Sequence, residues 1–382
     1  YGGAAFLVPY ILFVVLFGLV GLSAEFAIGR RAKTGTLGAY EYCWKSRNLG
    51  KLGYVLGWIP LIGSLGIAIG YAIIVGWVVR SFAGSLTGEI LTADAAEYFG
   101  RATGNFGSVP WHVIVILIAC GLLMFGATKG IEKVNKVLMP SFFILFAILA
   151  VRVAFLPGAV DGYKFLFVPK WEALLKVDTW VMAMGQAFFS LSITGSGMIV
   201  YGTYLSKSED IPKASIRTAF FDTMAAMLSA LVIMPAVFAF GIKPNAGPPL
   251  MFITLPNIFK QMPMGRLFAV LFFLSVIFAG ITSLINMFEA VSESWQTRFQ
   301  LTRKKAVALC GGMALLVGIF LEAEPKVGSW MDFITIIVVP FGAVLGAVSI
   351  YYILGFDEIK KELELGRDKP LGKYFGPLAK YV

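Results

Sequence analysis

Charge is scarce in this chain of 382 residues. Only 14% are Asp, Glu, Lys or Arg, while 58% are hydrophobic. A soluble domain cannot cover that much apolar surface, so the composition excludes one and leaves lipid as the main surrounding. Histidine is nearly missing: His112 is the single one, at a predicted helix start. One histidine cannot build a metal cluster, and His112 reads as an interfacial residue. Three cysteines, Cys43 in a loop and Cys120 and Cys310 in helices, have no partner in an outside loop, which excludes a disulfide framework. Strong two-residue alternation of polar and apolar positions is absent, which excludes a barrel. No nucleophile–base pair stands out, so an enzyme is not expected.

What is present is a series of long apolar runs. A hydrocarbon core of about 30 Å needs about 20 apolar residues per helix. Nine stretches meet that need, near 4–29, 53–83, 111–128, 133–156, 178–205, 213–241, 266–298, 304–322 and 329–355. A partial tenth begins near Pro370. The chain reads as one all-α polytopic membrane domain over 1–382, without a soluble module, a low-complexity tract or a polar linker. The opening YGGAAFLVPY looks like a loop entering a helix, so a preceding segment is expected.

The formal net charge of +10 suggests a nucleic-acid partner, but its distribution speaks against one. Arg30, Arg31, Lys33, Lys45, Arg47 and Lys51 share one loop. Loops on the same side carry Lys129, Lys133 and Lys136, then Lys207 and Lys213, then Arg298 to Lys305, then Lys360 to Lys369. Intervening loops are acidic or mixed, as at Glu89, Asp94, Glu97 and Arg101. This alternation is the positive-inside pattern, which makes the basic loops cytoplasmic and starts Tyr1 outside.

Charges at membrane depth are functional hypotheses by default. Arg152 lies near a helix end and is expected to snorkel. Glu25 and Glu289 read either as structural acids that bind backbone of a broken helix or as proton sites. Asp222, mid-span in AFFDTMAAML, reads as a cation ligand. In FAGITSLINMFE, Ala279, Thr282 and Ser283 recur at helical spacing on one face, which suits a small hard cation such as sodium. The stretch GQAFFSLSITGSGMIVYGTYL is the strongest signal. Ser190, Ser192, Thr194 and Ser196 crowd its middle together with Gly195 and Gly197. A helix unwound there is tolerated only where it lines a cavity or is buried in protein, and its freed amides and carbonyls can hold a carboxylate and cations. Packing of small residues against a neighbouring helix is the alternative, but the GxxxG spacing is missing.

These motifs resemble the neurotransmitter:sodium symporter family, most closely its bacterial amino-acid transporters of the LeuT type. GGAAFLVPYILFVVLFGLVGLSAEFAIGR is similar to the family's second helix, the GQAFFSLSITGSG stretch to its broken sixth, FAGITS to its second sodium site and WMDF to the start of its tenth. The likeness runs through the whole chain in order, from the second helix to the start of the eleventh. It implies an incomplete inverted-repeat transporter fold of about nine full transmembrane helices, lacking the first helix and the C-terminal ones.

The resemblance also implies roles. Ile67, Tyr71, Phe189, Ser192, Thr194, Gly195, Ser283 and Met287 would bind substrate, with Tyr71 on its carboxylate and Phe189 as a lid. Ser190 and Asp222 would remain from one sodium site, and Ala279, Thr282 and Ser283 from the other. Asp332 would be an outer-gate acid and Tyr204 part of the inner gate. Gln186 would stand at the gate and, with Tyr10, Ser190 and Ala226, at positions where relatives bind chloride. Ala226 offers no hydroxyl or charge, so Asp222 would supply the negative charge itself. Gly195 stands where the family usually has phenylalanine, which implies a roomier pocket. The expected function is sodium-coupled symport of a small zwitterion, an amino acid before others, across a prokaryotic plasma membrane. No bound cofactor is expected. The rivals are proton coupling through Asp222, Glu25 or Glu289, and a non-transporting membrane scaffold.

Overall fold

The computed structural model describes residues 2–125, 127–241, 243–244 and 247–381. Tyr1 lies outside them, and so do the side chains of Lys129 and Lys133, on which part of the charge reading rests.

The first span, α1 (Ala4–Ala32), carries Pro9 and a π-helical bulge at Gly18–Leu22, and closes on left-handed Lys33. The basic loop after it is not all loop. It folds as α2 (Thr36–Lys45), which puts Cys43 on a helix and buries it. All three cysteines are free. The next long helix is α3 (Gly50–Thr87), 38 residues. At about 1.5 Å per residue it outreaches the bilayer and must tilt or extend beyond it. Its glycines act as a packing groove: a side chain at Gly66 or Gly70 would run into Ile334 or Met331 of the last long helix. Small residues let membrane helices approach where no hydrophobic effect drives them together.

The next spans are α4 (Val109–Met124) and α5 (Ala127–Ala154), followed by the short α6 (Ala159–Phe167). A bend of 117° separates Met139–Ala154 from Ala159–Leu175. The stretch at 178–205 is two half-helices, α7 (Val177–Ser190) and α8 (Gly197–Tyr204). Then come α9 (Ile211–Ala239), α10 (Gly265–Phe299), α11 (Arg303–Leu321), α12 (Glu324–Leu363) and the short α13 (Phe375–Tyr381). Among the described residues, six helices are long and apolar enough to span by themselves, or seven if the bent pair is one span. The sequence reading gave nine. The difference lies at α4, which is short, and at the two stretches that bend or break.

Polar contacts join the helix ends as the charge alternation requires. Arg30, fully buried, donates to the Glu362 carboxylate and to the carbonyls of Ser206 and Glu209, so α1, α8–α9 and α12 meet at the basic end. At the opposite end, His112 Nδ1 and Glu322 Oε1 are 2.8 Å apart and both residues are buried. Ser108 donates to the same carboxylate, and Trp77 donates to Ser108. His112 is therefore a core residue and not interfacial. Its partner lies 210 positions away, out of reach of any local pattern.

Candidate functional site

The helix breaks where the hydroxyls and glycines cluster. Ser192 and Gly195 take positive φ, 55° and 74°, which no helix contains. The break is then stitched from outside the helix. The Gly195 amide donates to Glu25 Oε1 at 2.8 Å, the Gly197 amide to Thr194 Oγ1 at 3.2 Å, and the Ser196 and Thr36 hydroxyls pair at 2.8 Å. Buried backbone groups freed from a helix need such partners. Glu25 on α1 is thus one of the structural acids that the sequence reading allowed for.

A cavity of about 250 Å³ opens beside the break. Seven of the eight residues expected to bind substrate line it: Ile67, Tyr71, Phe189, Ser192, Thr194, Ser283 and Met287. Tyr71 comes to it from α3 and Ser283 from α10. Gly195 is the exception. It is buried against α12, where a Cβ would stand 2.3 Å from the Gly342 carbonyl oxygen and 2.7 Å from the Tyr40 hydroxyl. Its missing side chain lets two backbones meet and adds no room to the cavity, so the size argument drawn from Gly195 does not hold.

Four wall residues escaped the sequence reading: Ser64, Met198, Tyr201 and Asn286. Helical spacing could have found them. Ser64 lies two turns before Tyr71 on α3, Asn286 one turn after Ser283 on α10, and Met198 and Tyr201 share one face of α8.

Both expected cation sets touch this cavity. Ser190, on its wall, donates to Asp222 Oδ2 at 2.6 Å, and the Tyr10 hydroxyl lies 3.5 Å from Ser190 Oγ. Ser283, on the wall from α10, and Thr282 both donate to the Ala279 carbonyl at 3.0 Å. That carbonyl is engaged by the two hydroxyls rather than left free. Gln186 is exposed on α7, and Ala226 lies one helical turn beyond Asp222 on α9.

The gate residues separate. Tyr204 donates to Glu289 Oε1 at 2.6 Å, and Arg303 donates to both Glu289 oxygens at 3.0 and 2.7 Å. Glu289 therefore answers a cation and not the broken backbone. Asp332 is exposed at the other end of the molecule, and Arg152 is half-buried near the end of α5.

With this geometry in hand, comparison with known proteins gives consistent matches. The model of the Sodium:neurotransmitter symporter family matches residues 91–375. An uncharacterized sodium-dependent transporter of Bacillus subtilis (strain 168) is 34% identical over 322 residues, covering 83% of this chain and 70% of its own. One from Methanocaldococcus jannaschii is 26% identical over 411 residues, covering 100% of this chain and 81% of its own. Among solved structures, that of MhsT in complex with L-phenylalanine superposes with a TM-score of 0.91 at 29% identity, covering 100% of this chain and 89% of that one.

Proposed function

Since this chain belongs to the sodium:neurotransmitter symporter family, a group of multi-pass membrane proteins, we propose that it carries an amino acid with a bulky apolar side chain, driven by the sodium gradient. One observation supports this reading most. A single cavity takes one wall hydroxyl from each cation set, Ser190 beside Asp222 and Ser283 beside Thr282. Occupancy by cations and by substrate would then be felt by the same side chains, which is what coupling requires.

The chemistry of the walls suits a zwitterion. Tyr71 presents a hydroxyl to a carboxylate, and Ser192 and Thr194 present oxygens to an ammonium group. Ile67, Phe189, Met198 and Met287 form the apolar remainder, and the two methionines adapt to irregular side chains. The bulky-substrate reading now rests on the cavity volume and this apolar lining. The L-phenylalanine complex of MhsT is in keeping with it.

Asp222 would replace a bound anion. A carboxylate within reach of a cation is favoured in its charged form, so sodium at Ser190 needs no chloride. The test is uptake into proteoliposomes of the full-length protein. Labelled phenylalanine should accumulate with inward sodium, fail with potassium, and continue when gluconate replaces chloride. Tyr71→Phe should weaken substrate binding by roughly 1–3 kcal/mol, the cost of removing a partner from a charged group. Uptake driven equally well by a proton gradient without sodium, or preference for glycine over phenylalanine, would overturn the proposal.

A further inference from the structure

We propose that a groove at the cytoplasmic end of α1 and α9 holds the headgroup of an anionic phospholipid, with its acyl chains lying along the outer faces of these two helices. The groove has a volume of about 440 Å³. Its basic side is Lys213, Arg217 and Arg367, and its floor includes Leu19, Ile216 and Phe375. The groove's one carboxylate is already answered: Asp210 Oδ1 accepts from Arg367 Nη1 at 2.7 Å and from the Lys213 amide at 3.1 Å. Lys213 and Arg217 are exposed and make no ion pair among the described residues. The groove therefore offers a positive surplus to a negative ligand.

What lies beyond the groove singles out a lipid. On α9, Ile216 is followed at helical spacing by exposed Phe220 and Met224. On α1, Leu19 is preceded at the same spacing by exposed Val15, Leu12 and Val8. The helices meet closely between these stripes, since a Cβ at Gly18 would stand 2.7 Å from that of Ala219. Two apolar stripes thus run from one basic pocket into the depth of the membrane. A soluble anion or an acidic peptide would use the pocket and leave the stripes unused. Tyr374, exposed at the rim, is the residue type that sits at headgroup level. Basic pockets between helices on the cytoplasmic side suit anionic headgroups.

The experiment uses the full-length protein in detergent, with phosphatidylglycerol or phosphatidylcholine of identical chains added, and counts retained lipid by native mass spectrometry. Phosphatidylglycerol should be retained over phosphatidylcholine by about tenfold. The Lys213→Gln/Arg217→Gln double variant should bring the two lipids to parity while sodium-dependent substrate binding shows that it is folded. Ile216→Asn should lower retention of phosphatidylglycerol without restoring phosphatidylcholine. Equal retention of both lipids by the wild type, or an unchanged preference in the double variant, would overturn the proposal. So would full displacement by inorganic phosphate but not by chloride at matched ionic strength, which would mark a site for free anions.

Discussion

Glu25 and Glu289 are the same residue type, both within long apolar helices and both almost without solvent exposure, yet they do different work. Glu25 meets a backbone amide, that of Gly195, which is available only because the helix has come apart there. Glu289 meets a full positive charge, with Arg303 on both its oxygens and Tyr204 on one. The first acid props a break open beside the cavity. The second ties the end of α8 to α10 and the start of α11 at the basic end, and Arg303 extends the tie to the Leu123 carbonyl on α4. A buried carboxylate in a membrane protein therefore has no role of its own; its partner assigns one.

Four substitutions would break or sharpen this contrast. The largest effect is expected from Arg303→Ala, which strands the buried Glu289 charge. Arg303 is itself partly exposed and Tyr204 still donates to Glu289, so the loss is about 1.5–3 kcal/mol and the thermal midpoint of the full-length protein should fall clearly below that of the wild type. Adding Glu289→Gln should recover much of the loss, because the stranded charge is then gone. A midpoint for Arg303→Ala equal to that of the wild type would mean that the pair ties nothing.

Next comes Gly195→Ala on the side of the break. The left-handed conformation costs a residue with a Cβ roughly 1–2 kcal/mol, and the Gly342 carbonyl must also move away. Sodium-dependent substrate binding should be lost or strongly weakened. Gly185→Ala on α7 is the control: a Cβ there meets nothing within 4 Å and Gly185 is not on the cavity wall, so binding should persist. If both variants bind alike, the close approach at Gly195 does not hold the break in place.

A smaller effect is expected from Glu25→Gln. The amide keeps an acceptor for Gly195 but loses the charge assistance, a difference of about 1 kcal/mol. It should appear as weaker substrate binding with little change in thermal midpoint, the reverse of Arg303→Ala. The smallest is Tyr204→Phe, at roughly 0.5–1 kcal/mol, because Arg303 still answers Glu289 and Tyr204 is half exposed. Its thermal midpoint should drop slightly. A loss of substrate affinity instead would move Tyr204 from the tie to the cavity.

Part of the site was legible at short range, while Ile67, Tyr71, Phe189 and Met287 were implied by the family resemblance. Ala279, Thr282 and Ser283 recur at helical spacing, and the hydroxyls of Ser190, Ser192, Thr194 and Ser196 stand at every second position. A pattern of this kind states which residues face one way and where a helix must fail. It does not state what they face. Gly195 shows the limit: the family resemblance implied a pocket wall, while the backbone path turns it toward Gly342 on a helix nearly 150 positions later. His112 shows it again, since nothing near it in the chain announces Glu322.

The sequence by itself determined the membrane-embedded helical class, the place of the break and the hydroxyls beside it. Those follow from hydropathy, charge and periodicity, which act over a few turns of chain. The tertiary structure alone decided which acid props the break and which pairs with an arginine, that Gly195 serves a close helix crossing, and that Ser190 and Ser283 look into the same space. These depend on how helices far apart in the chain cross, and a crossing is fixed by the packing of whole helix faces, which no local stretch of sequence records.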